Sequence, residues 1–138
     1  MGRVNWLDRL RWRRRGVRID VAPGAALVLG EGVAIGSGTR LTVRAGTLRI
    51  GAGAHIGECC AIVVHEGVEI APGARIEDWV SITDFEPVFD DPERPVREQG
   101  VRASAVVVGE GAVVDLAANL TAGARVAPRT RVAPHEVR

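Results

Sequence analysis

Aliphatic residues recur at every sixth position in four sets: Leu29, Ile35, Leu41; Ile50, Ile56, Ile62; Ile70, Ile76, Ile82; and Val108, Val114, Leu120, Val126, Val132. Two positions before each lies a second side chain that is mostly small, Leu27 and Leu48 being the exceptions. Gly follows the aliphatic residue at 30, 36, 51, 57 and 109, and elsewhere the next residue is often Ala or Thr. A period of six suits neither an amphipathic helix nor an ordinary hairpin sheet. It suits a chain wound as a triangular prism, with one short strand and one turn per face. The aliphatic residue then fills the interior, the residue two earlier points inward from the same strand, and Gly or Ala allows the tight corner. The pattern predicts an all-β, single-stranded parallel β-helix. Its coils pair with the coils above and below, and fourteen corners over three faces make between four and five of them.

The breaks in the period carry further information. Leu41 to Ile50 is six plus three residues, Ile62 to Ile70 six plus two, and Ile82 to Val108 six plus twenty. Each break follows a complete set of three, so all three insertions are expected at one edge of the prism, stacked above one another. An edge that collects irregular polar excursions is where a binding site is expected. The largest excursion gives one long protruding loop at residues 84–104.

Ahead of the coils, "NWLDRLRWRRRG" predicts a short helix, with Asn5 as N-cap, Trp6 and Leu10 on one face and Gly16 closing the C-terminus. The expected division is a basic N-terminal helix or cap at 1–18 and a β-helix domain at 19–138. Residues 1–18 hold seven Arg against one Asp, and the remainder eleven Arg against sixteen acids, so an overall charge of +1 conceals a basic head on an acidic body. The head is read as a lid, its Trp side chains covering the open end of the solenoid. Two or three aromatics make a poor nucleic-acid platform, and no nucleic-acid partner is expected. Cys59 and Cys60 are adjacent and are the only cysteines, which is no zinc spacing and no disulfide framework. No apolar run approaches the ~20 residues needed to span a bilayer, and a cytoplasmic protein is expected.

At this point the residues resemble a known family. "VVVGEGAVVDLAANLTAGARVA" and "GAHIGECCAIVVHEGVEIAPGARI" are similar to the hexapeptide repeats of the left-handed parallel β-helix acyltransferases. "SITDFEPVFDDPERPVREQGV" resembles the loop of the maltose-type and lipopolysaccharide-type O-acetyltransferase branch. The resemblance implies a left-handed coil, a homotrimer with sites between subunits, acetyl-CoA as co-substrate and a saccharide or other small hydroxyl acceptor. It implies CoA contacts on the coil after the loop, at Val113, Leu116 and Ala117. It also implies a histidine base at the start of the loop, which would take the proton of the attacking hydroxyl. This chain reads Asp84, Phe85, Glu86, Pro87 there, with Pro87 at the base position and Phe85 at the other candidate position.

The remaining candidates follow from that gap. His65 follows its corner by three positions, as Phe85 follows Ile82, and is therefore expected one coil away from the root of the loop. It is either a displaced base, oriented by Glu66 or Asp84, or a side chain packed at a turn. Asp84 and Glu86 are candidates for sugar hydroxyls, with capping of the turn as the alternative for Asp84. The charged stretch Asp90, Asp91, Glu93, Arg94 and Arg97 is expected to pack on a neighbouring subunit through ion pairs. His55, His65 and His135 lack the spacing of a three-histidine zinc site, so no metal is expected. Two functions remain: a CoA-dependent O-acetyltransferase relying on His65, and a catalytically silent trimeric scaffold or partner of an active relative.

Overall fold

The computed structural model describes residues 2–3 and 11–138, and shows an all-β parallel solenoid of about five turns with one short helix. Three faces carry the rungs. Face I holds Arg18–Val21, Arg40–Val43, Ala61–Val64, Ser81–Thr83 and Asn119–Leu120. Face II holds Ala26–Leu29, Thr47–Ile50, Gly67–Ile70, Val106–Val108 and Arg125–Val126. Face III holds Ala34–Ile35, His55–Ile56, Arg75–Ile76, Val113–Val114 and Arg131–Val132. The chain visits I, II and III in order, and each rung pairs in parallel with its counterparts one coil away.

The register is that of the hydrophobic period. Leu41, Ile62, Ile82 and Leu120 are Cα partners along face I, and Leu29, Ile50, Ile70, Val108 and Val126 along face II. Thirteen of the fourteen period-six residues are buried and Leu29 is half-buried, so the inward assignment holds along the whole prism. Thr39 is the one buried polar residue in the column two positions before the corners; its hydroxyl donates to the Gly57 carbonyl at 2.7 Å and accepts from the Cys60 amide at 3.1 Å. Both polar groups are satisfied, as burial requires.

Two details differ from the sequence pattern. The first coil begins earlier than Leu29: Ile19 pairs with Leu41, which adds a corner and brings the count to five coils. Its spacing to Leu29 is six plus four, a further insertion at the same edge of the prism. Glycine after the corner also has a different cause. Gly57 has no left-handed backbone, and a methyl there would overlap the Asp78 carboxylate of the next coil, so close coil-to-coil approach and not turn freedom requires it.

Of the expected N-terminal helix, residues 11–14 are helical, and Asn5, Trp6 and Leu10 lie outside the described residues. The helix ends as its sequence predicts. Gly16 stands at φ 78°, its amide donates to the Arg13 carbonyl at 3.0 Å, and the Val17 amide donates to the Trp12 carbonyl at 3.0 Å. This is a Schellman closure, with Trp12 and Val17 both buried in the main apolar cluster. Gly2–Arg3 adds an antiparallel strand to the edge of Ala26–Leu29, which the helical reading did not foresee. It occupies an edge that would otherwise present unpaired backbone groups.

Because each inward side chain touches only its own and adjacent coils, one truncation opens a cavity that the ladder cannot close. Ile62→Ala is expected to cost about 3 kcal/mol, while the outward Val63→Ala on the same rung costs under ~1 kcal/mol. Urea denaturation of the two variants checks the contrast.

Candidate functional site

The irregular edge lies between faces I and II, where the chain leaves Val21, Val43, Val64 and Thr83. The long excursion there is an arm built on an antiparallel stem, Phe85–Pro87 against Val101–Ala103. Its tip is folded by Gln99. The Gln99 amide donates to the Asp91 carbonyl at 2.8 Å and to the Arg94 carbonyl at 2.9 Å, and its Oε1 accepts from the Asp91 amide at 3.0 Å. Arg102 reaches across the stem to Asp90 at 2.8 Å, with Glu86 4.0 Å away. These contacts give part of the charged stretch an internal role that its composition did not reveal. The ion pair is exposed, worth at most about 1 kcal/mol.

Asp84 anchors the arm. It is fully buried, and its carboxylate accepts three successive backbone amides from the coil below: His65 at 2.8 Å, Glu66 at 2.7 Å and Gly67 at 2.8 Å. Its own carbonyl accepts from the Ser104 amide at 2.7 Å, closing the neck of the arm. A buried carboxylate is tolerated only where donors surround it, and these bonds are charge-assisted. The two-residue insertion at 65–66 therefore makes a nest of amides, and Asp84 fills it. Gly46 packs under the same turn with φ 72°, and a methyl there would overlap the Glu66 carbonyl oxygen.

His65 stands where the spacing places it, beside the root of the arm, with its ring 4.2 Å from that of Phe85 and tilted by 54°. Its orientation has a different origin from the one expected. The Asp84 oxygens are engaged by backbone amides, so the imidazole is held by contact with Phe85 and not by a carboxylate. Glu86 is exposed on the stem, and Pro87 lies on the same short strand, opposite Val101. The sequence brings His65, Asp84 and Phe85 together, with Glu86 at the margin. The amide nest was the missing element; the short insertion after Val64 was its only signal.

The three residues proposed for CoA contacts lie elsewhere. Val113 is on the outer side of face III, and Leu116 and Ala117 form the corner between faces III and I. Face I separates them from His65. Asp115, beside them, is ion-paired with Arg131. The Leu116 amide, and next the Arg131 guanidinium, hold its carboxyl below the usual carboxylate range. Cys60 occupies an inward position as expected, and its thiol donates to the Glu77 carbonyl at 3.0 Å. Burial pushes that thiol up from its ordinary range, so it is no nucleophile at neutral pH. Cys59 is a free, half-exposed thiol. Among the described residues, no cluster of His, Cys, Asp or Glu is arranged to hold a metal ion, and no helix is long and apolar enough to cross a membrane.

Comparison with known proteins bears on this arrangement. No protein-family model matches the chain. A probable acetyltransferase of Mycobacterium tuberculosis is 32% identical over 96 residues, 69% of this chain and 32% of that protein. The chain thus spans about a third of that relative's length. Among solved structures, AntD, an N-acyltransferase from Bacillus cereus in complex with dTDP and 3-hydroxybutyryl-CoA, superposes with a TM-score of 0.61 at 16% identity. The match covers 99% of this chain and 82% of AntD. A single-site variant of AntD holding dTDP-4-amino-4,6-dideoxyglucose and coenzyme A gives a TM-score of 0.58 at 17% identity, over 99% and 83% of the two chains. The chain has the hexapeptide-repeat solenoid fold of these acyltransferases. Its hexapeptide columns supply the shared frame, and the arm at 84–104 interrupts that frame between the third and fourth rungs of faces II and III.

Removing the Asp84 carboxylate would leave three inward amides without acceptors. Asp84→Ala is expected to destabilise the protein by about 3 kcal/mol or more, and to raise hydrogen exchange at the amides of residues 65–67. Denaturant unfolding and amide exchange followed by NMR check both; unchanged protection at those amides would refute the anchor.

Proposed function

We propose that this protein is a CoA-dependent acyltransferase of the cytoplasm, acting on a saccharide or another small hydroxyl-bearing acceptor and assembled as a homotrimer. The observation that carries the reading is the placement of His65 against Phe85 at the root of the arm, on the one edge that gathers all excursions. The acetyltransferase relative and the acyltransferase fold support the reaction class. AntD holds CoA species together with a nucleotide or a nucleotide sugar, which supports a sugar-like acceptor here. The loop phrase supports the maltose-type and lipopolysaccharide-type branch. The arm also presents Phe89, 67% exposed, and the exposed Val96 and Val101. An apolar arm of this kind favours cover by a neighbouring copy.

In the proposed step the His65 imidazole accepts the proton of the acceptor hydroxyl as the hydroxyl oxygen attacks the thioester carbonyl. The carbon–sulfur bond breaks, the acetyl group passes to oxygen as an ester, and the proton goes to the departing thiolate to give free CoA. Asp84 and Glu86 stand on either side of Phe85 in the chain. Glu86 is exposed and is the one of the two that could contact an acceptor, whereas Asp84 serves the base by fixing the turn that carries it. Val113, Leu116 and Ala117 are assigned to the CoA side.

A second reading, the catalytically silent scaffold or partner of an active relative, is favoured by one observation. Pro87 and Phe85 occupy the positions where the resembling family keeps its base, and neither side chain can accept a proton. The two readings separate in one experiment. On the first, acetyl-CoA binds and thiol is released over a panel of sugars. His65→Ala should lower turnover by at least ~100-fold, in line with loss of a general base, with the thermal midpoint little changed. Restoring the family residue with Pro87→His raises the rate if the rest of the site is competent. Binding without thiol release from any acceptor selects the scaffold, and absence of binding at millimolar acetyl-CoA sinks the transferase reading.

A further inference from the structure

Charge is segregated along the axis of the solenoid. Residues 1–56, which run to the end of the second coil, hold ten Arg against three acids, a net of +7. Residues 57–138, the upper three coils and the arm, hold eight Arg against fourteen acids, a net of −6. The overall charge of +1 describes neither end.

The arginines of the two ends also differ in what they touch. In the upper part Arg75 is paired with Glu77, Arg102 with Asp90, Arg131 with Asp115 and Arg138 with Glu136. At the lower end Arg13, Arg14, Arg15, Arg18, Arg40 and Arg44 are exposed, and none of them is ion-paired among the described residues. Arg18 and Arg40 are Cα partners on neighbouring rungs of face I, one strand spacing of about 4.8 Å apart. Like charges placed directly opposite repel and weaken a sheet. The same column continues as Ala61, Ser81 and Asn119, so this repulsion is confined to the lower end. The described acids there, Asp20 and Glu31, are exposed and leave the arginines in excess.

Uncompensated repulsion of this kind is relieved by an anion from outside. The six arginines come from three places: the short helix and its closing turn, the outer side of face I, and the corner after Val43. A single phosphate cannot meet groups so distributed, whereas a plane that presents many phosphates meets them together. Guanidinium forks suit phosphate oxygens. Single-stranded nucleic acid also presents phosphates, but its binding calls for exposed aromatic platforms. Trp12 is buried in the core at this end, and the exposed Trp79 and Phe89 belong to the upper part.

Screening decides whether local or net charge governs. The Debye length at physiological ionic strength is about 8 Å. With the solenoid standing on its N-terminal end, the first two coils lie within that distance of each other. Asp84 begins the arm on the fourth rung of face I, roughly 14 Å above the first. A surface beneath the end is attracted by the arginines and is screened from the acidic coils and arm. We propose that the N-terminal end of the solenoid docks end-on to an anionic phospholipid surface, its arginines facing the lipid phosphates. The contact is electrostatic and reversible, since a basic patch without a lipid chain is a single signal. It stands independently of the acyl-transfer reading.

Co-sedimentation of the full chain with phosphatidylcholine vesicles, with and without roughly one-third phosphatidylglycerol, tests the docking. Binding to the anionic vesicles at ~0.1 M salt, its loss at ~0.5 M, and none to phosphatidylcholine alone are expected. Each guanidinium removed should weaken binding about fivefold. Arg13→Gln, Arg14→Gln and Arg15→Gln together then weaken it roughly hundredfold, and Arg18→Gln with Arg40→Gln roughly twenty-five-fold. Arg94→Gln with Arg97→Gln, on the arm, lowers the net charge as much as the second variant and should leave binding unchanged. Equal loss in the arm variant overturns the proposal, as do equal binding to both vesicles, absence of binding to either, and losses that follow a lowered melting temperature. An oligonucleotide bound more tightly than the anionic vesicles at the same salt gives the basic end to nucleic acid. Salt-reversible self-association without lipid gives it to the acidic coils of a second copy, and either result overturns lipid docking.

Discussion

Everything in this molecule depends on the parallel ladder that fixes each coil directly over the last. Once neighbouring rungs are held at strand spacing, an inward residue has only the same position one coil above and below as its axial neighbours. The columns Leu41–Ile62–Ile82–Leu120 and Ile50–Ile70–Val108–Val126 are the result. The same ladder leaves no room for an extra residue within a face, so every departure from the period must leave at a corner. It also brings backbone so close to backbone that Gly57 cannot carry a methyl without meeting the Asp78 carboxylate.

Two of the three corners meet this constraint in different ways. The corner from face I to face II absorbs length, and the ladder is restored afterwards by a side chain: Asp84 receives the amides of residues 65–67 that the inserted turn turns inward. The corner from face III to face I absorbs no length. It keeps perfect register and takes its irregularity as backbone strain, most of all at Trp79. One edge thus gains an inserted arm with polar and aromatic groups at its root, and the other a column of outward side chains in strict register.

What the sequence revealed follows the same division. Periodicity alone located the inward columns, the common edge of the insertions, the arm and the neighbourhood of His65 and Phe85, because each of these is a matter of counting along a ladder. It did not reach Ile19, whose spacing to Leu29 is lengthened by the "APGA" turn and so falls outside the six-residue rhythm. Nor did it reach the antiparallel Gly2–Arg3 strand, which belongs to no repeat. Asp84 looked like a sugar ligand or a turn cap because a carboxylate at a loop root serves either purpose. Only the inward direction of three amides decides that it is an anchor. The strain at Trp79 was equally hidden, since the hexapeptide period marks the place of a corner residue but not the sign of its φ.

Face I lies between these two corners, and its outer surface changes character along the prism. On its upper rungs the outward residues are Ala61, Val63, Ser81, Thr83 and Asn119, none of them charged, whereas the charged Arg18, Asp20 and Arg40 are confined to its first two rungs. A rung of four residues spans roughly 13 Å, and that is the width of the uncharged strip between the two corners. The arm at 84–104 rises at the far end of that strip, where Phe85 holds the imidazole. Pro87 stands where the resembling family keeps its base, and the imidazole packed at the root of the arm, that of His65, lies one coil away on the same edge.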